Sequence, residues 1–169
     1  VFLPCAGSAE FHTLQPSEII SVIEMVRGNV GDDAIVVAPT GYHAEHAIEL
    51  VNQAHAAGAN AGLVMPLSFP YLSDAGARDH LLRILEQSRL PLMVYKKGDL
   101  PGDDLLLELA GHENLVGIKY AVNNMDAFTR VIRADQGQID WFCGTAERFA
   151  PFYALAGAPG YTSGAGNIC

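Results

Sequence analysis

Residues 115–119 read Leu-Val-Gly-Ile-Lys, an apolar run that ends in a lysine and is followed by Tyr120. A run of this length is typical of a strand that is buried on both faces. An amine at the end of such a strand lies at the mouth of a core, where loss of solvation favours its neutral form. Neutral lysine amines form Schiff bases with ketones and aldehydes. Taken alone, Lys119 is better explained as a solvated lysine at a strand end, and the rest of the chain changes that balance.

The same pattern recurs along the chain, with a short apolar run, then small or polar residues, then a stretch with helical spacing. We predict strands at Val1–Pro4, Ala34–Pro39, Ala61–Met65, Leu92–Tyr95, Leu115–Lys119, Asp140–Gly144 and Gly160–Ser163. We predict helices at Ser17–Arg27, Ala44–Ala57, Asp74–Ser88, Asp103–Ala110, Asn124–Asp135 and Ala146–Leu155. Strands that alternate with helices predict an α/β fold with a parallel sheet.

Two architectures fit this alternation, a doubly wound open sheet and a (β/α)₈ barrel. The even pitch of the units favours the barrel, which takes about 250 residues and eight strands. The chain has 169 residues and seven predicted strands, and Val1 begins directly in an apolar run. We therefore expect one partial barrel domain over residues 1–169, with a βα unit that precedes it outside this sequence. In both architectures, functional groups gather at the carboxyl ends of the strands.

The composition limits which partners and which cellular compartment fit this chain. The net charge is −9 and no basic patch stands out, which argues against nucleic acid or an anionic membrane as partner. No apolar stretch is long enough to cross a bilayer. The cysteines, Cys5, Cys143 and Cys169, lack metal-type spacing, so we predict reduced thiols in a cytoplasmic protein. We interpret Cys5 and Cys143 as small buried hydrophobic residues.

The residues at the predicted strand ends have chemistry that fits together. The first run leads into Gly7-Ser8-Ala9-Glu10, where small residues allow a close approach and backbone N–H groups can hold a carboxylate. The fourth run ends in Tyr95, whose phenol can move a proton. The sixth leads into Gly144-Thr145, and the last into the glycine-rich segment Gly160–Asn167. A tight turn and a core tyrosine are the simpler explanations of the first two features taken singly.

Together these segments resemble the dihydrodipicolinate synthase/N-acetylneuraminate lyase family over nearly the whole chain. Gly7–Glu10 is similar to the family's G-x-x-G-E loop, with Ala9 where a glycine is usual. The other matching segments are, in order, Leu14–Glu18, Ala57–Ala61, Leu90–Tyr95, Val116–Lys119 and Gly157–Asn167, which resemble L-T-x-x-E, A-G-A-D-A, L-P-x-x-x-Y, V-G-I-K and G-A-x-G-x-x-S-x-x-x-N. Each motif is weak alone, and six in the right order make a strong signal.

The resemblance implies a (β/α)₈ barrel followed by C-terminal helices, in a homo-oligomer that is a tetramer or a dimer. It implies an imine between Lys119 and the keto group of pyruvate or a related small-molecule 2-oxo acid, with no metal and no cofactor. By the same resemblance, Tyr95 relays protons at the imine.

Four further roles follow from the resemblance. Ser8 takes the place of the family's hydroxyl residue, which bonds the substrate carboxylate and Tyr95. The backbone of Gly7, Ser8 and Ala9 holds that carboxylate. The carbonyl of Thr162 lies near the reacting centre, and Ser163 completes the substrate-binding set.

The chain departs from the family pattern in its loops. Synthases carry two adjacent threonines in the first loop, where this chain has Gly7-Ser8, and they continue Tyr-Asn-x-Pro where it has Tyr95-Lys96-Lys97-Gly98. Their arginine is absent, since Leu100 lies about there, and Pro66–Tyr71 lacks the expected Pro-Tyr-Tyr. These departures favour a dehydratase or aldolase that acts on a sugar-acid-like 2-oxo acid.

Several alternatives stay open or are less favoured. Lys96 and Lys97 could replace the lost cation, but we interpret them as solvated surface lysines. His43 and His46 have helical spacing for a metal pair, but no third ligand is evident, and we interpret them as surface residues. A phosphate site in the glycine-rich segment lacks a basic residue. A non-catalytic relative that binds a 2-oxo acid or sugar acid is the alternative to a Schiff-base enzyme.

Overall fold

A parallel sheet of five strands organises the chain, and its strands lie side by side in sequence order. The computed structural model describes residues 1–67 and 72–168. The strands are β1 Val37–Thr40, β2 Ala61–Val64, β3 Leu92–Lys96, β4 Leu115–Tyr120 and β5 Asp140–Cys143. Each pairs in parallel with the next, and a helix lies in each connection. Sequential parallel strands with helical crossovers form the wall of a (β/α) barrel.

The helices are α1 Pro16–Asn29, α2 Ala44–Ala56, α3 Asp74–Gln87, α4 Asp103–Leu109, α5 Met125–Asp135 and α6 Ala150–Leu155. Side-chain caps explain where several of them begin. Ser73 accepts a hydrogen bond from the N–H of Gly76, and Asn124 accepts one from the N–H of Ala127, so donors of the first turn are satisfied. No helix in the described ranges combines the length and apolar character that a membrane crossing needs.

Two of the seven predicted strands are reduced to single parallel bridges. Phe2 pairs with Val36 at one edge of the sheet, and Tyr161 pairs with Cys143 at the other. In the first segment, Pro4 lacks an N–H for a ladder and Cys5 adopts a left-handed backbone with φ of 57°, so extension ends there. In the last segment, Gly160 weakens a strand because it offers no side chain to pack.

Helix α6 begins at Ala150, four residues after the predicted start. Ala146 has φ of 62°, which is incompatible with a right-handed helix. Pro151 lies in the first turn of the helix, a place that proline tolerates because its missing N–H would have no partner there. The apolar spacing of residues 146–155 therefore predicted the right element with the wrong beginning.

The two faces of the sheet bury different sets of side chains. The outer face packs on the helices in one large cluster, which includes Val94, Ile118 and Trp141. The inner face carries a small cluster of Val37, Ala61 and Leu63, with partly buried residues against it, namely Leu3, Met65, Met93 and Tyr95. Tyr95 therefore lies on the inner face, which in a barrel is the face that leads to the functional mouth.

Gly62 in β2 tests how closely the sheet packs. A Cβ built there would lie 2.6 Å from Leu92 Cδ2 and 2.8 Å from Val51 Cγ2. We expect Gly62→Ala to destabilise the fold by about 1–3 kcal/mol through overpacking. Gly28 in α1 has open space around its Cα, so Gly28→Ala is the matched control and should stabilise by about 0.5–1 kcal/mol. Urea unfolding of both variants measures the difference, and an equal response of the two would contradict the packing described here.

Candidate active site

Lys119 and Tyr95 lie opposite each other on neighbouring strands. They are register partners in the β3–β4 pairing, and Phe142 of β5 is the partner of Lys119 on its other side. The Nζ atom of Lys119 lies 4.1 Å from the centroid of the Tyr95 ring. Only 7% of Lys119 is exposed. The structure therefore brings together an amine and a phenol near the carboxyl ends of two central strands.

The environment of Lys119 lowers the pKa of its amine to about 8. Burial is the main cause, because it penalises the charged form, and the positive charge of Lys97 is the second. Burial also raises the pKa of the Tyr95 phenol. At pH 7 about a tenth of such an amine is neutral, against well under a thousandth for an ordinary lysine. The pair thus combines a nucleophilic amine with a phenol that keeps its proton.

Gly144, directly after β5, allows the chain to pass beside the Lys119 side chain. A Cβ built there would lie 3.0 Å from Lys119 Cγ and 2.9 Å from the carbonyl oxygen of Tyr120. The N–H of Gly144 donates to that same carbonyl at 2.7 Å. Any larger residue would displace either the backbone or the lysine, so glycine at this position helps to set the path of the reactive side chain. Sequence analysis singled out Gly144 only for its place at a strand end.

The first loop reaches the same pair. A Cβ on Gly7 would lie 4.0 Å from Tyr95 Cε1, which places this loop against the phenol ring. Gly7–Ala9 form a short 3-10 helix in which the N–H of Ala9 donates to the carbonyl of Ala6 at 3.0 Å. Ser8 is exposed, and within the described residues no hydrogen bond joins it to Tyr95. The loop is where the prediction put it, while the roles of Ser8 and Ala9 stay predictions.

The glycine-rich segment is held to β5 by backbone and side-chain bonds. The N–H of Thr162 donates to the carbonyl of Cys143 at 2.9 Å. The hydroxyl of Ser163 donates to a carboxylate oxygen of Glu147 at 2.6 Å, and the N–H of Ala165 donates to the same oxygen at 2.9 Å. These bonds lower the pKa of Glu147 to about 2. Sequence analysis missed Glu147, because no local pattern shows that residues 16 and 18 positions later fold back onto it.

Lys96 is not the solvated surface lysine that the sequence suggested. Only 4% of it is exposed, and its Nζ atom donates to the carbonyl of Pro101 at 2.7 Å and lies 3.4 Å from Asp103 Oδ1. Side chains alternate between the faces of a strand, so the residue after Tyr95 points to the opposite, helix-covered face. Lys97 is exposed, as predicted. Lys96 therefore cannot serve as a substrate cation on the inner face.

The remaining candidates lie away from this pair or outside the described residues. His43 caps α2 by accepting from the N–H of His46 at 3.3 Å, and its side chain is 73% exposed, as expected of a surface residue. Cys5 and Cys143 are free and buried, and their burial confirms their interpretation as small buried hydrophobic residues. In residues 1–67 and 72–168, no three His, Cys, Asp or Glu side chains converge as a metal site. The loop prediction at Ser68–Tyr71 and the terminal Cys169 lie outside the described residues.

The fold and the site define an α/β protein of the barrel class, with a lysine and a tyrosine side by side near the carboxyl ends of its parallel strands. A model of the dihydrodipicolinate synthetase family matches residues 2–169, so the chain belongs to that family. This confirms the resemblance drawn from the six motifs. It also confirms the partial (β/α)₈ barrel, because solved members of the family superpose on nearly all of the chain.

Relatives with two different names are similar to this chain. A probable 5-dehydro-4-deoxyglucarate dehydratase of Ralstonia nicotianae is 32% identical over 96% of the chain and 53% of that relative. A 4-hydroxy-tetrahydrodipicolinate synthase of Chlorobium phaeobacteroides is 30% identical over 99% of the chain and 58% of that relative. The crystal structure of dihydrodipicolinate synthase from Bacillus clausii is 40% identical, with a TM-score of 0.94 over 99% of this chain and 57% of that one. The chain thus spans about half the length of the curated relatives it matches.

Burial of the charged Lys119 side chain should lower the free energy of unfolding at neutral pH. Its pKa is lowered from 10.5 to about 8, so the unfolded chain binds the proton more tightly and stability rises with pH between these values. We expect Lys119→Met to raise the free energy of unfolding at pH 7 by up to about 3 kcal/mol and to remove that rise. Urea unfolding at about pH 7 and about pH 10 measures both effects, with Arg89→Met, at an exposed cation outside the site, as control. A loss of stability in Lys119→Met at pH 7 would show that the amine is not penalised by burial.

Proposed function

We propose that the protein is a Schiff-base-forming lyase that acts on pyruvate or a sugar-acid-like 2-oxo acid through an imine on Lys119. The observation that carries the proposal is the contact between the Lys119 amine and the Tyr95 ring, at 4.1 Å, on the inner face of the sheet. The lowered pKa of Lys119 and membership of the family support it. Lys119 is the nucleophile, and Tyr95 is the acid–base group.

The first step is attack of the neutral amine on the keto carbon of the substrate. A carbinolamine forms, and loss of its hydroxyl as water gives the imine, for which the hydroxyl needs a proton. Tyr95 is suited to supply that proton, because burial raises the pKa of its phenol and so keeps it protonated at neutral pH. The first loop lies against the same ring through Gly7, so a carboxylate next to the keto group can meet the backbone of residues 7–9.

The second step uses the imine as an electron sink. In a dehydratase, a proton leaves the carbon next to the imine, and the enamine that forms expels the hydroxyl of the following carbon, which takes up a proton and leaves as water. In an aldolase, that hydroxyl instead loses its proton and becomes an aldehyde carbonyl as the carbon–carbon bond breaks, and the bond's electron pair passes to the imine to give the enamine. The sink is supplied by the lysine itself, so we propose that the reaction needs no metal and no cofactor. Thr162 and Ser163, on the segment that β5 holds, are proposed to contact the substrate beside this centre.

The loops favour a dehydratase or an aldolase over the synthase. The first loop has Gly7-Ser8 in place of two threonines, and Leu100 stands about where synthases place an arginine for a substrate carboxylate. The relative from Ralstonia nicotianae is named as a dehydratase, which agrees with this choice. Dihydrodipicolinate synthase is the second candidate, because structures described by that name are 39% and 40% identical to this chain.

We propose that the protein works as a homo-oligomer, a tetramer or a dimer, in the cytoplasm. The main support for the assembly is the family resemblance. The compartment rests on the buried free thiols of Cys5 and Cys143, which suit a reducing environment.

Imine trapping tests the covalent step. Incubation with pyruvate and borohydride should leave a reduced three-carbon adduct on Lys119, located by peptide mass spectrometry. Lys119→Arg should give no adduct, because a guanidinium stays protonated and cannot form the imine. Lys97→Arg is the matched control at an exposed lysine near the same site and should keep the adduct. If neither pyruvate nor a longer 2-oxo acid gives an adduct, the covalent mechanism is wrong, and measured binding of the acid without an adduct would support the non-catalytic alternative.

The role of Tyr95 is tested by proton exchange. Pyruvate held as an imine exchanges its methyl protons with deuterated water, and NMR follows this exchange without knowledge of the natural substrate. We expect Tyr95→Phe to slow the exchange by about a hundredfold or more, since the phenol moves the proton, while trapping on Lys119 persists. Unchanged exchange in Tyr95→Phe would assign the proton transfer to another group.

A further inference from the structure

An ionic cluster lies on the outer face of the sheet, directly behind the candidate active site, with Lys96 and Tyr120 buried and Arg130 at the exposed surface. It consists of Lys96, Asp103, Tyr120 and Arg130, and we call it the Lys96 cluster. The carboxylate of Asp103, at the start of α4, accepts from the Tyr120 hydroxyl at 3.2 Å and from Arg130 at 3.0 Å. Lys96 Nζ lies 3.4 Å from the same carboxylate and 5.8 Å from the Tyr120 ring centroid. One carboxylate thus joins β3, β4, α4 and α5.

Lys96 also binds the backbone of the loop that follows it. Its ammonium donates to the carbonyl of Pro101 at 2.7 Å and to that of Asp99 at 3.3 Å. The loop of residues 97–102 connects β3 to α4, and Lys96 and Asp103 stand at its two ends. Lys96 therefore binds two carbonyl groups within the loop and also the carboxylate of Asp103 at the far end of the loop.

The cluster is coupled to the site through chain connectivity. Lys96 comes directly after Tyr95 in β3, and Tyr120 comes directly after Lys119 in β4. Lys96 and Tyr120 are themselves register partners. Among residues 1–67 and 72–168, the charged or titratable groups that bear on Lys119 from the inner side are the Tyr95 phenol and the ammonium of Lys97. Phe142 of β5 and Gly144, just after that strand, lie beside Lys119 on its other side. Lys97 is the first residue of the loop, so its place depends on how that loop is held.

We propose that Lys96 is a positioning residue, whose ammonium, paired with Asp103, fixes the 97–102 loop and thereby the position of Lys97, the first residue of that loop. The inference rests on the proposed function, because it concerns the reactivity of the same amine. Stability alone is a weak explanation for the pair, since a buried ion pair is often no more stabilising than apolar residues of the same volume. A fixed loop accounts for the two carbonyl bonds as well as the ion pair.

The pH dependence of Lys119 reactivity tests the proposal without any substrate. The purified protein is labelled with a trace of acetic anhydride across a pH series, and acetylation of Lys119 is measured by peptide mass spectrometry. We expect Lys97→Met, Lys96→Met and Asp103→Asn each to lower the labelling rate at pH 7 about threefold, because Lys119 loses the repulsion that favours its neutral form. Addition of Lys96→Met to Lys97→Met should lower the rate no further. Lys96→Arg keeps the charge and the donors and should restore most of the rate.

Asp103→Asn separates positioning from direct charge. Removal of a negative charge, by itself, makes protonation of Lys119 less favourable and speeds labelling, whereas release of the loop slows it. Unchanged or faster labelling in Asp103→Asn, or a further decrease in the double variant, would overturn the proposal. Glu108→Gln, which removes an exposed ion pair of α4 with Arg78, is the matched control and should change nothing. Thermal melts identify a variant that fails to fold. If Lys96→Met fails to fold, the labelling rate of Asp103→Asn tests the proposal in its place.

The two proposals fail separately. If the wild-type protein gives no adduct with 2-oxo acids while the labelling rates follow the expected order, the lyase function is wrong and the positioning role stands. If the adduct forms while Lys96→Met and Asp103→Asn label Lys119 as fast as the wild-type protein, the positioning role is wrong and the lyase function stands.

Discussion

The parallel pairing of β3 with β4 is the constraint on which the candidate site depends. It sets Tyr95 against Lys119 on the inner face and, one residue later, Lys96 against Tyr120 on the outer face. Because side chains alternate along a strand, a slip of one residue would exchange the two faces and put the reactive amine among the helices. The register is therefore fixed from the outer face, through the apolar cluster around Val94 and Ile118 and through the ion pair of Lys96 with Asp103.

Two buried lysines on this register have opposite environments. Lys96 has a carboxylate and two carbonyl oxygens around its ammonium, so its charge is compensated. Lys119 has an aromatic ring face and a neighbouring positive charge, and burial lowers its pKa to about 8. Burial alone does not make a lysine reactive, because the partners that accompany burial decide whether the charged or the neutral form is favoured. The structure thus separates a structural lysine from a candidate nucleophile by which face of the sheet each occupies.

Most of the strand and helix order was predictable from local pattern, since each unit carries its own apolar run and helical stripe. The errors lie at boundaries, and one of them had a chemical consequence. The predicted strand Leu92–Tyr95 ended one residue too early, and Lys96 was interpreted as a solvated surface lysine. In the structure β3 continues through Lys96, and the alternation of side chains along the strand buries it. The partners of Asp103 and Glu147 were beyond prediction, because Tyr120, Arg130 and Ser163 reach them through the tertiary fold and no short spacing connects them. The small residues of the first loop predicted a carboxylate site there, which stays a prediction, and the 3-10 turn of that loop uses the N–H of Ala9 internally.

Under the proposed function, chemistry and substrate choice are carried by different parts of this barrel. The lysine and the tyrosine belong to strands whose register is set by core packing, and relatives with two different names match the chain across these strands. Departures from the synthase pattern fall in the connections, at residues 7–10 and 97–100, and at Lys96, the last residue of β3. Connections can change without loss of the sheet. Under the proposed function, a substitution in those loops alters what meets the imine, whereas one in β3 or β4 alters whether an imine can form. Lys96 lies at the junction of the two, because it ends a strand and also holds a loop. In the positioning role proposed for it, the sequence of that loop bears on the reactivity of the Lys119 amine.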